Sequence, residues 1–441
     1  MKVAIISRNT IKPSKPTPLH LRTYNLSLLD QLAASQHVDL IFFYPSNSNL
    51  EYKNVASQVL EKSHHLQSSL SKTLVNFYPF AGQVKDRSTI ECNDHGAYFV
   101  EAQINCELRD FLSKPDPDKL CQFVPSNDPE TIRLASGFLL HVQLTAFTCG
   151  GIAVTVSPSH KLTDISSLCT FIRGWTGIAL GDEESVIPEF YGASFLPQGD
   201  LQNHDMITSV HRNNTKRFVF SATMIASLKD NIKRAIGHGH GQHWASSTDV
   251  VTAVLLRSFM AATKSILGSS HPFQFHQVVN LRPRMNPPLP KNSIGNLVWL
   301  STTFFEGNET ELHELTAKTR KDLEVFYHEK ANKFKGHQGS AFICDLINYN
   351  RDGKLYNKNI TNMLCTSLSQ FPLYDFDFGG GKPIWVTCPM YNGNTIVLTS
   401  TKSGDGIEAW ITLEEKVMDL VERDENLLAI ASLNPSAFPN H

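Results

Sequence analysis

From Phe138 to Val156 the chain is mostly apolar and rich in β-formers, and the pair Gly150–Gly151 divides it. A run of this kind reads as two buried strands joined by a turn. Beyond it the period changes: Ile165, Leu168, Phe171, Ile172, Trp175 and Ala179 fall on one face of a helix. Strands feeding a helix commit this region to a layered α/β arrangement. The segment SPSHKLTD, Ser157 to Asp164, sits at the junction, with His160 just past the strand and Asp164 just ahead of the helix. Strand ends and helix starts are where α/β folds present reactive side chains.

An imidazole suits proton abstraction from an alcohol, because its ordinary pKa near 6.5 lets it accept a proton around neutral pH. Asp164 fits either an N-cap or the partner of a cation. The spacing alone is also what a structural histidine followed by an N-capping aspartate would produce, so it leaves both readings open.

Elsewhere the periodicity predicts a polar helix over about 54–76. YPFAGQV (Tyr78 to Val84) and AYFVEAQI (Ala97 to Ile104) alternate like strands. Pro, Gly, Asn and Asp crowd the stretch between about Glu183 and Asn214. This divides the chain into a domain over 1–185, a linker over 186–215 and a second domain over 216–441. The second domain opens on a strand, KRFVF (Lys216 to Phe220), and a helix from Met224 to Ile236. A mobile loop GHGHGQ is expected at Gly237–Gln242, then a buried helix from Thr248 to Thr263 with Thr248 as its cap.

The 441 residues include 40 basic and 42 acidic side chains, mixed along the chain, for a formal charge of −2. That balance gives no footprint for nucleic acid or a membrane surface. No apolar run is read as approaching the roughly 18 residues a spanning helix needs. The eight cysteines form no C-x-x-C pair, so reduced thiols in the cytoplasm are expected and no metal site. His238, His240 and His243 lie among glycines, where ordering a metal site would be costly. A serine hydrolase would carry G-x-S-x-G, and no segment matches. Asp377–Gly379 spells D-F-G, but no kinase catalytic loop or phosphate loop accompanies it.

The whole chain resembles the BAHD family of plant acyl-CoA-dependent acyltransferases. His160–Asp164 matches the family's H-x-x-x-D, and Asp377–Phe378–Gly379–Gly380–Gly381 stands where the family has D-F-G-W-G. The blocks ECNDHGAYFVEA, NLRPRMNPPLP, IGNL and SGDGIEAW follow in the family's order. The resemblance implies a chloramphenicol-acetyltransferase-like α/β fold: two similar-sized domains, each a mixed sheet with flanking helices, and a channel between them centred on His160. It implies acyl-CoA as co-substrate, a small-molecule alcohol as acceptor, no permanently bound cofactor, no metal and a monomer.

Residue by residue, the resemblance makes His160 the general base. Asp164 becomes a structural carboxylate paired with Arg282, and Thr366 a hydrogen-bond donor to the tetrahedral intermediate. Ser246, Ser247 and Thr248 line the coenzyme A path, while Asp377, Gly379 and Gly381 shape a supporting loop. IGNL places Asn296 in a family block without assigning it a role. Gly380 replaces the motif's aromatic, a loss expected to leave a void. Gln370 replaces an arginine that binds acidic acceptors, and Leu368 replaces a tryptophan found in members that use aromatic acids. Within the family the texture is closest to the branch acylating alkaloid alcohols, terpenoid alcohols and sugars. A sucrose-type acylsugar is the preferred acceptor on this reading, and acetyl transfer to an alkaloid or terpenoid alcohol the alternative. A degenerate, non-catalytic member is the remaining possibility.

Overall fold

The computed structural model describes residues 1–46, 55–125, 129–182, 186–199, 213–236, 245–267, 271–349, 360–389 and 393–438. Strands before the expected linker are β1 (Val3–Ile11), β2 (Thr23–Asn25), β3 (Leu40–Tyr44), β4 (Gln83–Val84), β5 (Thr89–Glu91), β6 (Ala97–Ile104), β7 (Leu140–Ala146) and β8 (Ile152–Pro158). From the last residues of that linker onward they are β9 (Asn213–Phe220), β10 (Phe273–Asn280), β11 (Val298–Phe305), β12 (Thr361–Ser367), β13 (Trp385–Thr387), β14 (Thr395–Ser400), β15 (Ile407–Glu414) and β16 (Ser432–Leu433). They form two mixed sheets, β1-β6-β7-β8-β3-β13 and β11-β10-β12-β14-β15-β9-β16, plus the small sheet β2-β5-β4.

The strand pair at 138–156 is present. β7 and β8 are antiparallel, and Gly150, at φ +80°, turns the chain between them. Leu140, Val142 and Leu144 alternate with His141, Gln143 and Thr145, and both sets are buried, because helices cover one face and the C-terminal half lies toward the other. The helix Ile165–Ala179 sinks Leu168, Phe171, Ile172 and Trp175 into the first core. Each such side chain contributes roughly 1.5–3 kcal/mol by leaving water. The Trp175 indole also donates to Ser69 Oγ at 2.9 Å, tying this helix to the helix Val55–Asn76.

Three expectations need correction. Tyr78–Ala81 is a 3-10 turn rather than a strand, with β reduced to Gln83–Val84. Pro79 suits a turn start, and Phe77, Phe80 and Phe171 lock it by ring contacts. The helix Ser247–Leu267 is long and apolar enough to cross a membrane by length and composition. It is nonetheless 67% buried inside the protein, as a core helix is, against the second sheet's core. Finally, β13 falls in the expected C-terminal domain by sequence, yet it pairs with β3 and completes the first sheet. The loop Gly237–Gln242 and His238, His240 and His243 lie outside the described residues.

A third apolar cluster joins the halves, packing Leu28 and Leu29 from the first and Leu196 from the expected linker against Leu281, Leu297 and Phe334 from the second. The site lies beside this seam.

Candidate active site

His160 follows β8 directly. Its backbone is held from two sides: its N–H donates to Gln36 O at 2.8 Å, and its carbonyl accepts from Asn296 Nδ2 at 2.6 Å. The residue is half-buried. The ring's Nδ1 is enclosed and meets no hydrogen-bond partner among the described residues. Among the described residues no aspartate bonds this nitrogen, so the arrangement differs from a Ser-His-Asp relay.

Asp164 points elsewhere. Its side chain caps the helix Ile165–Ala179 by accepting from Ser167 N at 2.9 Å. Its two oxygens also take a bidentate pair from Arg282, Nη1 at 2.7 Å and Nη2 at 3.0 Å, and a further bond from Leu297 N at 3.0 Å. Burial alone would raise this carboxyl, but the guanidinium outweighs that and holds it below the usual carboxylate range. Arg282 is equally enclosed and donates as well to Ser293 O, Gly295 O, Ser167 Oγ and Asn280 Oδ1. The pair therefore clamps the strand–helix junction of one half to the RPR turn of the other, immediately behind His160.

Sequence reasoning missed Asp30. It accepts from Ser27 N and Oγ and from Asn296 N and Nδ2. Asn296, which had no assigned role, thus bridges Asp30 to the His160 carbonyl. The S-x-x-D string at Ser27–Asp30 is a capping-box signal that pointed to half of this arrangement.

Thr366 lies on β12, opposite Val397 of β14. Val397 packs into the first core, whereas its neighbours Ile396 and Leu398 pack into the second. Thr366 thus shares the sheet face turned toward the N-terminal half, where His160 sits. Leu368 is buried in the first core and Gln370 is exposed.

At the start of the helix Ser247–Leu267 the cap is Ser246, two residues before the expected Thr248. Asp249 N donates to Ser246 Oγ at 3.1 Å and Ser246 N to Asp249 Oδ2 at 2.8 Å, a closed capping box. Lys229 Nζ reaches Ser247 Oγ at 3.0 Å, and Thr248 Oγ1 lies 2.8 Å from Ser246 Oγ. Hydroxyls and a cation at a helix N-terminus make a surface suited to phosphate.

Asp377 Oδ1 accepts from the amides of Gly379, Gly380 and Gly381 at 2.7, 3.0 and 2.9 Å. Gly379 and Gly381 adopt φ of +93° and +100°, which require glycine. Gly380 does not, and a Cβ there would meet nothing within 4 Å. Beside it lies a groove of about 430 Å³, bordered by Tyr44, Lys62, His65, Leu66 and Phe378. The groove borders Ile152, at the opposite end of β8 from His160, about 20 Å or more away by strand rise. Gly380→Trp is expected to fill it, raising stability by about 1–2 kcal/mol and leaving turnover unchanged. A thermal melt paired with an activity assay checks this, and a lower melting temperature would count against the groove being a vacated aromatic seat.

Two mixed sheets meeting at a seam, with a half-buried histidine at a strand end and a neighbouring aspartate locked to arginine, define an acyltransferase of the two-domain, chloramphenicol-acetyltransferase-like class. Residues 1–428 match the Transferase family, and the chain belongs to it, as a BAHD acyltransferase. It is 32% identical to the epi-neemfruitin B 7-O-acetyltransferase of Melia azedarach, over 99% of this chain and 100% of that one. It is 35% identical to akuammiline synthase 1 of Alstonia scholaris, over 97% of both. The crystal structure of vinorine synthase superposes with a TM-score of 0.83 at 30% identity, covering 99% of this chain and 100% of that one. The F. sporotrichioides TRI101 structure, complexed with coenzyme A and T-2, shares the fold at a TM-score of 0.63 and 18% identity, over 93% and 99% of the two chains.

Proposed function

We propose that this enzyme transfers an acyl group from acyl-CoA to a hydroxyl of a terpenoid or alkaloid alcohol. The observation that carries the reading is the division of labour at 160–164. His160 is fixed through its backbone and stays half-buried, while Asp164 is withdrawn into the Arg282 clamp. The imidazole takes the hydroxyl proton as the alcohol oxygen attacks the thioester carbonyl, and it then returns that proton to the departing thiolate. Thr366 is the candidate donor to the oxyanion. The helix start at Ser246, Ser247 and Thr248 is the candidate seat for coenzyme A phosphates. No acyl-enzyme and no metal enter the scheme, and the enzyme acts as a cytoplasmic monomer.

Relatives named for limonoid 7-O-acetylation in Citrus sinensis and for akuammiline favour terpenoid and alkaloid acceptors. The sucrose-type acylsugar has no counterpart among these relatives, so the alternative acceptor replaces it. Thiol release from acetyl-CoA, measured against a panel of terpenoid, alkaloid and sugar alcohols with mass spectrometry of the products, tests the assignment. Acylation of sugars alone would overturn the acceptor class, and ligand binding without thiol release would make the chain a non-catalytic member.

A further inference from the structure

We propose that Asp39 determines acceptor specificity, its carboxylate pairing with a protonated amine on the alcohol substrate. The inference rests on the reading above that His160 acylates a polycyclic alcohol.

The sheet register places Asp39. Leu40 pairs with Val156, a bridge joins His37 to Ser159, and Val38 N donates to Pro158 O at 2.9 Å. Asp39 therefore stands opposite Ser157, and His141 stands opposite Ser157 on its other side. The row Asp39–Ser157–His141 crosses three strands, and His160 leaves the middle strand three residues further on. By strand rise that separates the Asp39 row from His160 by about 10 Å. Asp39 shares a sheet face with Ile41 and Phe43. Phe43 stacks on Trp385, and Trp385 lies 6.3 Å from Trp410 of the second sheet. This face is thus turned toward the C-terminal half, as Thr366's face is turned toward the N-terminal half.

Asp39 is surrounded by protein, and its Oδ1 is enclosed. Among the described residues its Oδ1 meets no partner at full hydrogen-bond geometry, and the one polar side chain that acts on the carboxyl as a hydrogen-bond donor is that of Ser157. No cation among the described residues pairs with it. His37 and His141 stack at 4.1 Å, and burial pushes their pKa values down to about 4 and about 3, so both are neutral near pH 7. The Cys388 thiol is close, and Glu408, which also faces that thiol, already occupies Arg217. Burial raises the Asp39 carboxyl to about 6, with the neighbouring Ser157 restraining the rise. A deep carboxylate with an under-partnered oxygen is costly to keep unless something compensates it. A cation does so more strongly than a neutral donor in such surroundings. An amine held there, with a hydroxyl about 10 Å away at His160, describes a rigid polycyclic amino alcohol.

The test uses acetyl-CoA as donor and a matched pair of polycyclic alcohols, one with a basic tertiary nitrogen and one with carbon in its place. Wild-type enzyme is expected to favour the amine by about 10–100-fold in kcat/KM, the size of a charge-assisted contact. Asp39→Asn should raise KM for the amino alcohol by a similar factor, with kcat little changed and the neutral alcohol affected less than about threefold. Asp39→Ser, which is smaller, should reproduce this pattern if the asparagine variant folds poorly. Equal losses on both alcohols, or no wild-type preference for the amine, would overturn the role of Asp39 while leaving acyl transfer intact. Thiol release with no alcohol at all would overturn the acyltransferase reading, and this one with it.

Discussion

His160→Ala abolishes most turnover, a fall of about 10²–10⁴-fold, while the melting temperature stays close to wild type. Both contacts that anchor residue 160 are made by its backbone, to Gln36 O and from Asn296 Nδ2, and alanine keeps them. Among the described residues the ring makes no hydrogen bond through Nδ1, so its removal breaks no buried network there. Chemistry and stability should therefore separate cleanly. Thiol release from acetyl-CoA in the presence of an accepted alcohol measures the first, and thermal unfolding the second. Activity within a few-fold of wild type would reject the base assignment. A large loss of melting temperature would mean that the ring, rather than the backbone, holds the seam.

Arg282→Met behaves in the opposite way, destabilising the protein by about 3–5 kcal/mol because it leaves the Asp164 carboxylate enclosed without its cation. The sign of the pH dependence follows from the depressed Asp164 carboxyl. A carboxyl lowered in the folded state contributes stability above its unfolded pKa of about 4, and that contribution disappears as pH falls through the folded value. The gap between wild type and Arg282→Met should thus be widest near neutral pH and narrow on acidification below about 4. Urea unfolding at several pH values measures it. Activity of the variant is expected to fall as well, since the clamp sits behind His160, but to recover in part at low temperature, where the seam stays closed. A stability difference independent of pH would show that the ion pair is not what Arg282 supplies.

Much of this site was legible in the chain. The switch from an apolar β run to a 3.6-residue period at 138–179 located the strand–helix junction, and the structure puts His160 and Asp164 at that junction. The Asp164–Arg282 partnership followed from family resemblance, and no local pattern could have supplied it across 118 positions. Asp30 and Asn296 were harder still. They are 266 residues apart, and each looks ordinary alone, since an N-capping aspartate and a loop asparagine are common. Tyr78–Ala81 misled because aromatic alternation imitates a strand, whereas Pro79 and three phenylalanine rings decide for a turn. The cap at Ser246 rather than Thr248 was readable, since Asp249 lies three residues after Ser246. Asp39 carried no signal at all, because its isolation appears only once three strands are set side by side.

The small strand β13 has a consequence for how the protein is made. It belongs to the last quarter of the chain, yet it supplies the outer neighbour of β3. During synthesis the first half emerges with that flank open, and roughly 230 residues must follow Pro158 before Trp385 can dock. At about 5–20 residues per second this takes on the order of 10–45 s. Through that interval β3 offers unpaired backbone to any passing chain, the condition under which nascent polypeptides are captured by chaperones or by one another. A gene cut at the linker should accordingly yield an N-terminal piece that aggregates alone and is rescued when its C-terminal complement is produced beside it.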